Sequence, residues 1–464
     1  MLRLRGRDGN RLLKVDGATR AIARVLYERV AAAPIVSPHG HVPVAWLASD
    51  EPFRDPVDLL VRHDHYVTRL LHAAGVDMEA FARAADRDPR AAWRTFADHW
   101  HLFAGTASGY WLEDALAEVL EVGEPLTSES ADRVYDAVAA RLAEPAFRPR
   151  ALFRRFGIEA LATTDDPLDD LAAHASLNWT ELGGRVLPTF RPDRYLDPDA
   201  DGFASRVRRL VESAGEAMTF AGYLAALEER RRHFIDHGAV SADHGGEEPY
   251  TADLEPADAE RLFRLAVDGT ADAAQQREFR GHMLLQMARM SVEDGLVMTL
   301  HTGVLRNHST AALERFGPNS GHDIPLRTDF VRGLRPLLER FGLVKDFHLV
   351  LFTVDETTYS REIAPLAGFY PSVFIGAPWW FLDAPDAMER FRSAVTETAG
   401  FYRGSGFVDD TRAFLSIPVR HDAARRTDAG FLARLVAEGR VSMPQAEQLI
   451  DHLVCEQPRQ VFKL

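Results

Sequence analysis

Two histidines separated by one residue, His39 and His41 in IVSPHGH, are the sharpest chemical signal in the chain. Residues i and i+2 of a strand face the same side, so both imidazoles can reach one ion. Imidazole is the commonest side-chain ligand for zinc and similar metals. The plain alternative is a pair of loop histidines satisfied by hydrogen bonds. Asp410 in VDDTR and His301 in MTLHTG are the residues expected to complete the sphere. Catalytic metal sites commonly use three protein ligands and leave one position open.

Further reactive types sit at similar places. His65 and Tyr66 in RHDHYVTR fall at the start of an expected helix. Neighbours on a helix diverge by about a third of a turn, so only a cap or a loop lets both enter one pocket. Arg191 in TFRPD precedes a proline that stops strand pairing, and would present a guanidinium fork to a carboxylate. Its alternative is a surface ion pair. Asp243 and His244 end SADHG, and Trp379 and Trp380 end GAPWW, where indole rings can wall a sugar-sized site while one of the two packs in the core. Asp410 and Arg412 are expected to alternate along a strand, sharing a face as a salt bridge or a tuned catalytic pair.

The elements that must position these residues recur. Eight short apolar or β-branched runs end in polar residues: 35–41, 158–165, 185–191, 238–244, 296–301, 347–355, 373–380 and 406–412. Helical spacing separates most of them, as in 255–290 and 328–341. Buried strands alternating with helices imply a parallel sheet, and eight of them match an α/β fold of the (β/α)8 barrel type, whose active site lies at the C-terminal strand ends. The expected division is a segment 1–41 carrying the first strand, a mostly helical insertion 42–157 over the barrel mouth, the remaining barrel 158–420, and C-terminal helices 421–464.

Composition narrows the chemistry. Of 464 residues, 46% are hydrophobic and 27% charged, with a formal net charge of −15, which suits a globular core and argues against general nucleic-acid or anionic-membrane binding. The one cysteine, Cys455, excludes a disulfide framework or Cys-rich metal site. Only Lys14, Lys345 and Lys463 are lysines among 54 basic residues, so lysine Schiff-base catalysis is improbable. No phosphate loop and no proper nucleophile elbow is present. No apolar run reaches membrane-span length, and the basic start MLRLRGRDGN lacks a signal core, so a cytoplasmic protein is expected.

Taken together, HxH, DHY, TTDDPLDDL, FRPD, SADHG, LHTGVLRN, GAPWWFLD and VDDTRAFLSIPVRH resemble the uronate (glucuronate) isomerase family of the amidohydrolase superfamily. The match runs in order from about residue 35 to the C-terminus. Within it, Thr299 stands where members usually carry glutamine. The resemblance implies a distorted (β/α)8 barrel and one divalent metal, commonly zinc. It implies interconversion of D-glucuronate with D-fructuronate and of D-galacturonate with D-tagaturonate. It places His39, His41 and Asp410 as metal ligands and His301 near the metal, and aligns His65 and Tyr66 with the family's helical pair. Arg191 resembles the carboxylate-binding arginine, while Asp243, Trp380 and Arg412 match further pocket residues. A homo-oligomer acting on a small uronate is expected.

Such an isomerisation opens the ring, removes the C2 proton and returns a proton to C1 through an enediol, whose charge a nearby cation stabilises. Tyr66 is the first candidate base, with Arg412 expected to favour its phenolate; Asp410 and His65 are candidates for the hydroxyl proton. The alternatives are a metal-dependent hydrolase of a sugar-acid lactone or amide, and a non-catalytic sugar-acid binding protein. Purified protein is expected to carry about one divalent ion per chain. Elemental analysis checks this, and His39→Ala or Asp410→Asn should lose the ion or most activity.

Overall fold

Seven of the eight runs form parallel strands in the computed structural model, which describes residues 8–318 and 320–464. β1 (Ile35–Ser37), β2 (Ile158–Ala162) and β3 (Arg185–Leu187) pair in that order, and β4 (Ser241–Gly246) pairs with β5 (Val297–Thr302). After β5 comes a small antiparallel ribbon of β6 (Val304–Leu305) and β7 (Ile324–Pro325). β8 (Leu349–Phe352) then joins β5, and β9 (Val373–Ile375) joins β8. Nearly every residue of the barrel strands is buried, as expected where helices cover one face and side chains fill the other.

The two sheets are stitched where regular pairing stops. Phe190 bridges in parallel to both Asp165 and Ala242, carrying the order from β2 and β3 to β4. On the other side Gly404 bridges to Ile375, and the His41 N–H donates to the Thr411 carbonyl at 3.0 Å. The barrel order is thus complete, but the ladder is broken at both seams. The eighth run, 406–412, differs from expectation: it is an extended coil, with Asp410 at φ 43°. A residue in that region turns the chain out of the pleat, so the expected strand alternation of Asp410 and Arg412 does not occur.

Segment 42–157 is mostly helical. Asp64, Asp77, Asp88 and Thr106 cap successive helices by accepting first-turn N–H groups. Its apolar side does not form a separate core: Trp93, Phe96 and Phe153 pack in one cluster with Ile158, Leu161 and Val186 of the barrel. At the C-terminus a single helix, Ile417–Ala437, runs across the expected boundary at 420/421 and packs against the helix Gly17–Val30. The Arg425 guanidinium donates to the carbonyls of Ala31, Ala33 and Pro34, tying that helix to the start of β1.

The end of β9 must pass close to β8 to deliver the Trp379–Trp380 segment to the mouth. A Cβ at Gly376 would lie 2.4 Å from Phe352 Cδ1 and 2.8 Å from the Leu351 carbonyl. Gly376→Ala should therefore destabilise the fold by about 1–3 kcal/mol through overpacking. Chemical denaturation measures it, and an unchanged midpoint would remove the close approach as a constraint.

Candidate active site

β1 stops at Ser37 because Pro38 has no N–H for the ladder, so His39 and His41 lie just beyond the strand and not on it as expected. They converge all the same. Their rings meet edge to face at 5.2 Å, and His39 Nε2 and His41 Nε2 lie 3.5 and 3.2 Å from Asp410 Oδ1. Ligand atoms of these three residues all fall within 4.8 Å of one another. His39 Nε2 is buried with no hydrogen-bond partner among the described residues. A bare buried nitrogen is costly, and a cation shared with His41 and Asp410 would satisfy it. Two imidazoles and a carboxylate form a donor set suited to a divalent transition ion.

Burial lowers the His39 imidazole, but the Asp243 and Asp410 carboxylates outweigh it and raise its pKa, so a cation held there would displace a proton. Burial raises the Asp410 carboxyl, but the His39 and His41 imidazoles outweigh it and hold the group well below the usual carboxylate range. Burial lowers His41 to about 4, keeping its imidazole neutral. Asp410 holds its left-handed backbone at a cost of about 1–3 kcal/mol for a non-glycine residue.

Asp243 lies at the centre of the strand ends and is fully buried. Register explains its partners. Thr299 stands directly across from it on β5, and His301, two residues on, faces the same side. Thr299 Oγ1 donates to Asp243 Oδ1 at 2.6 Å, and His301 Nε2 lies 2.9 Å from Oδ2. Arg191 follows the Phe190 bridge and brings Nη1 to 3.4 Å of Oδ2, while His39 Nδ1 is 3.9 Å from Oδ1. Burial opposes ionisation, but His301, His39 and Arg191 hold Asp243 well below its ordinary pKa. His301 Nε2 is thus engaged by Asp243, and His301 is not part of the three-residue ligand cluster.

The arginine fork differs from expectation. Arg191 Nε donates to Asp193 Oδ2 at 2.9 Å, and Nη1 faces Asp243. Asp193 in turn accepts the Gly245 N–H at 2.8 Å. Two edges of the guanidinium are therefore occupied within the chain. Arg412 lies in the fields of Asp410, Arg191 and Arg306, and burial is the largest influence lowering its pKa.

His65 and Tyr66 open the helix His65–Ala73 behind the Asp64 cap, and their rings stack at 5.1 Å. His65 Nε2 is buried without a partner among the described residues; burial and, second to it among lowering influences, Arg412 keep the imidazole neutral. Tyr66 contradicts the phenolate expectation. Its hydroxyl donates to the Asp383 carboxylate at 3.1 and 3.2 Å and accepts the Phe381 N–H at 3.1 Å. Burial and the Asp383 charge push its pKa well above 10, so Tyr66 is a protonated donor. The Arg420 guanidinium lies over its ring at 5.6 Å.

Both tryptophans line the site. Trp379 packs edge-on against His39 at 5.4 Å and His301 at 5.1 Å, and Trp380 meets His65 edge-on at 5.9 Å with Arg306 4.8 Å over its ring. Trp380 and Phe381 are both left-handed, at φ 26° and 65°.

Comparison with known proteins agrees with this geometry. The family model described as glucuronate isomerase matches residues 16–462. The chain belongs to that family. It is 51% identical over 460 residues to the uronate isomerase of Corynebacterium efficiens, covering 98% of each chain. It is 50% identical over 462 residues to that of Xanthomonas campestris, again covering 98% of each. The crystal structure of glucuronate isomerase from Caulobacter crescentus superposes with a TM-score of 0.95 at 47% identity, covering 98% of this chain and 96% of that one. Uronate isomerase from Thermotoga maritima gives 0.91 at 28% identity, covering 98% of both. The chain is therefore an isomerase-family enzyme with a distorted (β/α)8 barrel.

Sequence reasoning missed Asp193 behind Arg191 and the Asp383–Arg420 pair behind Tyr66. Each stands inside a quoted motif, but nothing in spacing shows that buried charges meet there. Arg191→Lys should lower kcat/KM by at least ~10-fold, since a point charge cannot hold Asp193 and Asp243 together as the planar fork does. Steady-state kinetics decide it; a wild-type value would show that the fork is dispensable.

Proposed function

We propose that the protein is a metal-assisted uronate isomerase that interconverts D-glucuronate with D-fructuronate and D-galacturonate with D-tagaturonate. The observation that carries the reading is a bare His39 Nε2, with His41 and Asp410 beside it, at the strand ends of a chain half identical to uronate isomerases. When bound there, a divalent cation, zinc by its imidazole–carboxylate donors, supplies electrophilic stabilisation to the substrate oxygens.

The chain's own residues do the rest. Asp243 holds His301, Arg191 and Thr299 in register, so the rim meets substrate without rearranging. Arg191 supports the substrate carboxylate through the edge that Asp193 and Asp243 leave, with Arg412 and Arg306 adding positive potential. The indoles of Trp379 and Trp380 exclude water from the sugar face. His65, neutral and with Nε2 unpartnered among the described residues, takes the C2 proton, which exchanges with solvent on the imidazole before a proton is delivered to C1, while the C2 hydroxyl proton passes to O1. Tyr66 is not the base, because its own proton is committed to Asp383.

The test follows the proton. In heavy water, NMR of D-glucuronate and D-galacturonate turnover by zinc-loaded protein should show ketose with deuterium at C1. His65→Gln should lower kcat by at least ~100-fold with metal content unchanged, the low end of general acid–base contributions. A near-normal kcat in that variant moves the base elsewhere, and no ketose from either uronate rejects the reaction.

A further inference from the structure

Two segments at the site carry left-handed non-glycine residues, and both are tied to one guanidinium. Trp380 and Phe381 form the first, Asp410 the second. Arg420 Nη1 donates to Asp383 Oδ2 at 3.1 Å and to the Asp409 carbonyl at 3.0 Å. Through Asp383 the link continues to the Tyr66 hydroxyl, which accepts the Phe381 N–H inside the first turn. Through Asp409 it reaches the residue next to the Asp410 carboxylate. Arg420 is itself held from two further sides. Its Nε donates to Ser416 at 3.2 Å, and its guanidinium carbon lies 3.6 Å from the centre of the Trp111 ring of the helical insertion. Arg420 and Asp383 are both buried, and the proposed chemistry uses neither.

A left-handed residue outside a glycine persists only where its surroundings over-determine it. Here one planar fork braces two such turns across the mouth. We infer that Arg420 and Asp383 act as a positioning pair that sets the distance between the Trp379–Trp380 wall and the Asp410 carboxylate. The pair divides its work. Asp383 governs the aromatic turn through Tyr66, whereas Arg420 governs both turns. This rests on the functional reading only in taking Asp410 as a ligand of a bound cation.

Zinc affinity separates the two roles without reference to turnover. Competition with a chromophoric chelator should show zinc bound at least ~10-fold more weakly by Arg420→Met, the usual loss when an outer-sphere support is removed. Asp383→Asn should bind zinc as the wild type does but raise KM for the uronate. Should Arg420→Met fail to fold because Asp383 is left unpaired, Asp383→Asn/Arg420→Met removes both charges and should show the same zinc loss. Wild-type zinc affinity in a folded variant lacking Arg420 overturns the inference, as does equal zinc loss in Asp383→Asn. Absence of uronate turnover by the wild type strikes the functional reading and leaves the zinc comparison standing.

Discussion

A carboxylate wholly removed from water, that of Asp243, has to be compensated on every side, and its compensation organises the mouth of the barrel. Thr299 and His301 come from β5, Arg191 from the end of the β3 segment, and His39 from beyond β1. Four chain segments are thereby held to one point. Removing any partner would leave part of a buried charge exposed to a low-dielectric interior, which typically costs several kcal/mol. The same charge draws the His39 ring toward it on the Nδ1 side, leaving Nε2 to point at Asp410 and His41. The convergence of His39, His41 and Asp410 is therefore downstream of Asp243.

The second constraint is steric. The site needs Asp410, Trp380 and Phe381 in left-handed backbone, a conformation their side chains resist. Regular strand pairing cannot supply that, which accounts for the eighth barrel segment being coil and for the ladder opening at its seam. What strand hydrogen bonds would have done is done by single contacts: a bridge at Gly404, the bond from His41 to Thr411, and the Arg420 fork. The helical insertion takes part directly, since Tyr66 and Trp111 both belong to it and both touch that bracket.

Much of the fold was legible in the chain. Buried parallel strands read as short apolar runs with polar ends, and seven of eight such runs carry strands, five of them within those bounds and β4 and β5 ending two and one residues beyond. The eighth, 406–412, reads alike because apolar Phe407 and Val408 precede polar residues, yet it is not paired; periodicity reports burial, not hydrogen bonding. His39, His41 and Asp410 were recoverable as a set, although the supposed strand geometry of each was wrong in detail. Tyr66 as a phenolate was not sustainable, because a side chain's pKa depends on what is buried beside it. Asp383 lies more than three hundred residues away in sequence, and only folding brings the two together.

The sequence by itself determined the alternation of buried strand and helix, the polar strand ends, and the types of residue available for metal and carboxylate chemistry. These follow from local composition and period, which burial imposes residue by residue. Tertiary structure decided which polar and charged groups meet: Asp243 with Arg191 and His301, Asp383 with Tyr66 and Arg420. Electrostatic energy depends on distance and on exclusion of water, and neither quantity exists along an unfolded chain.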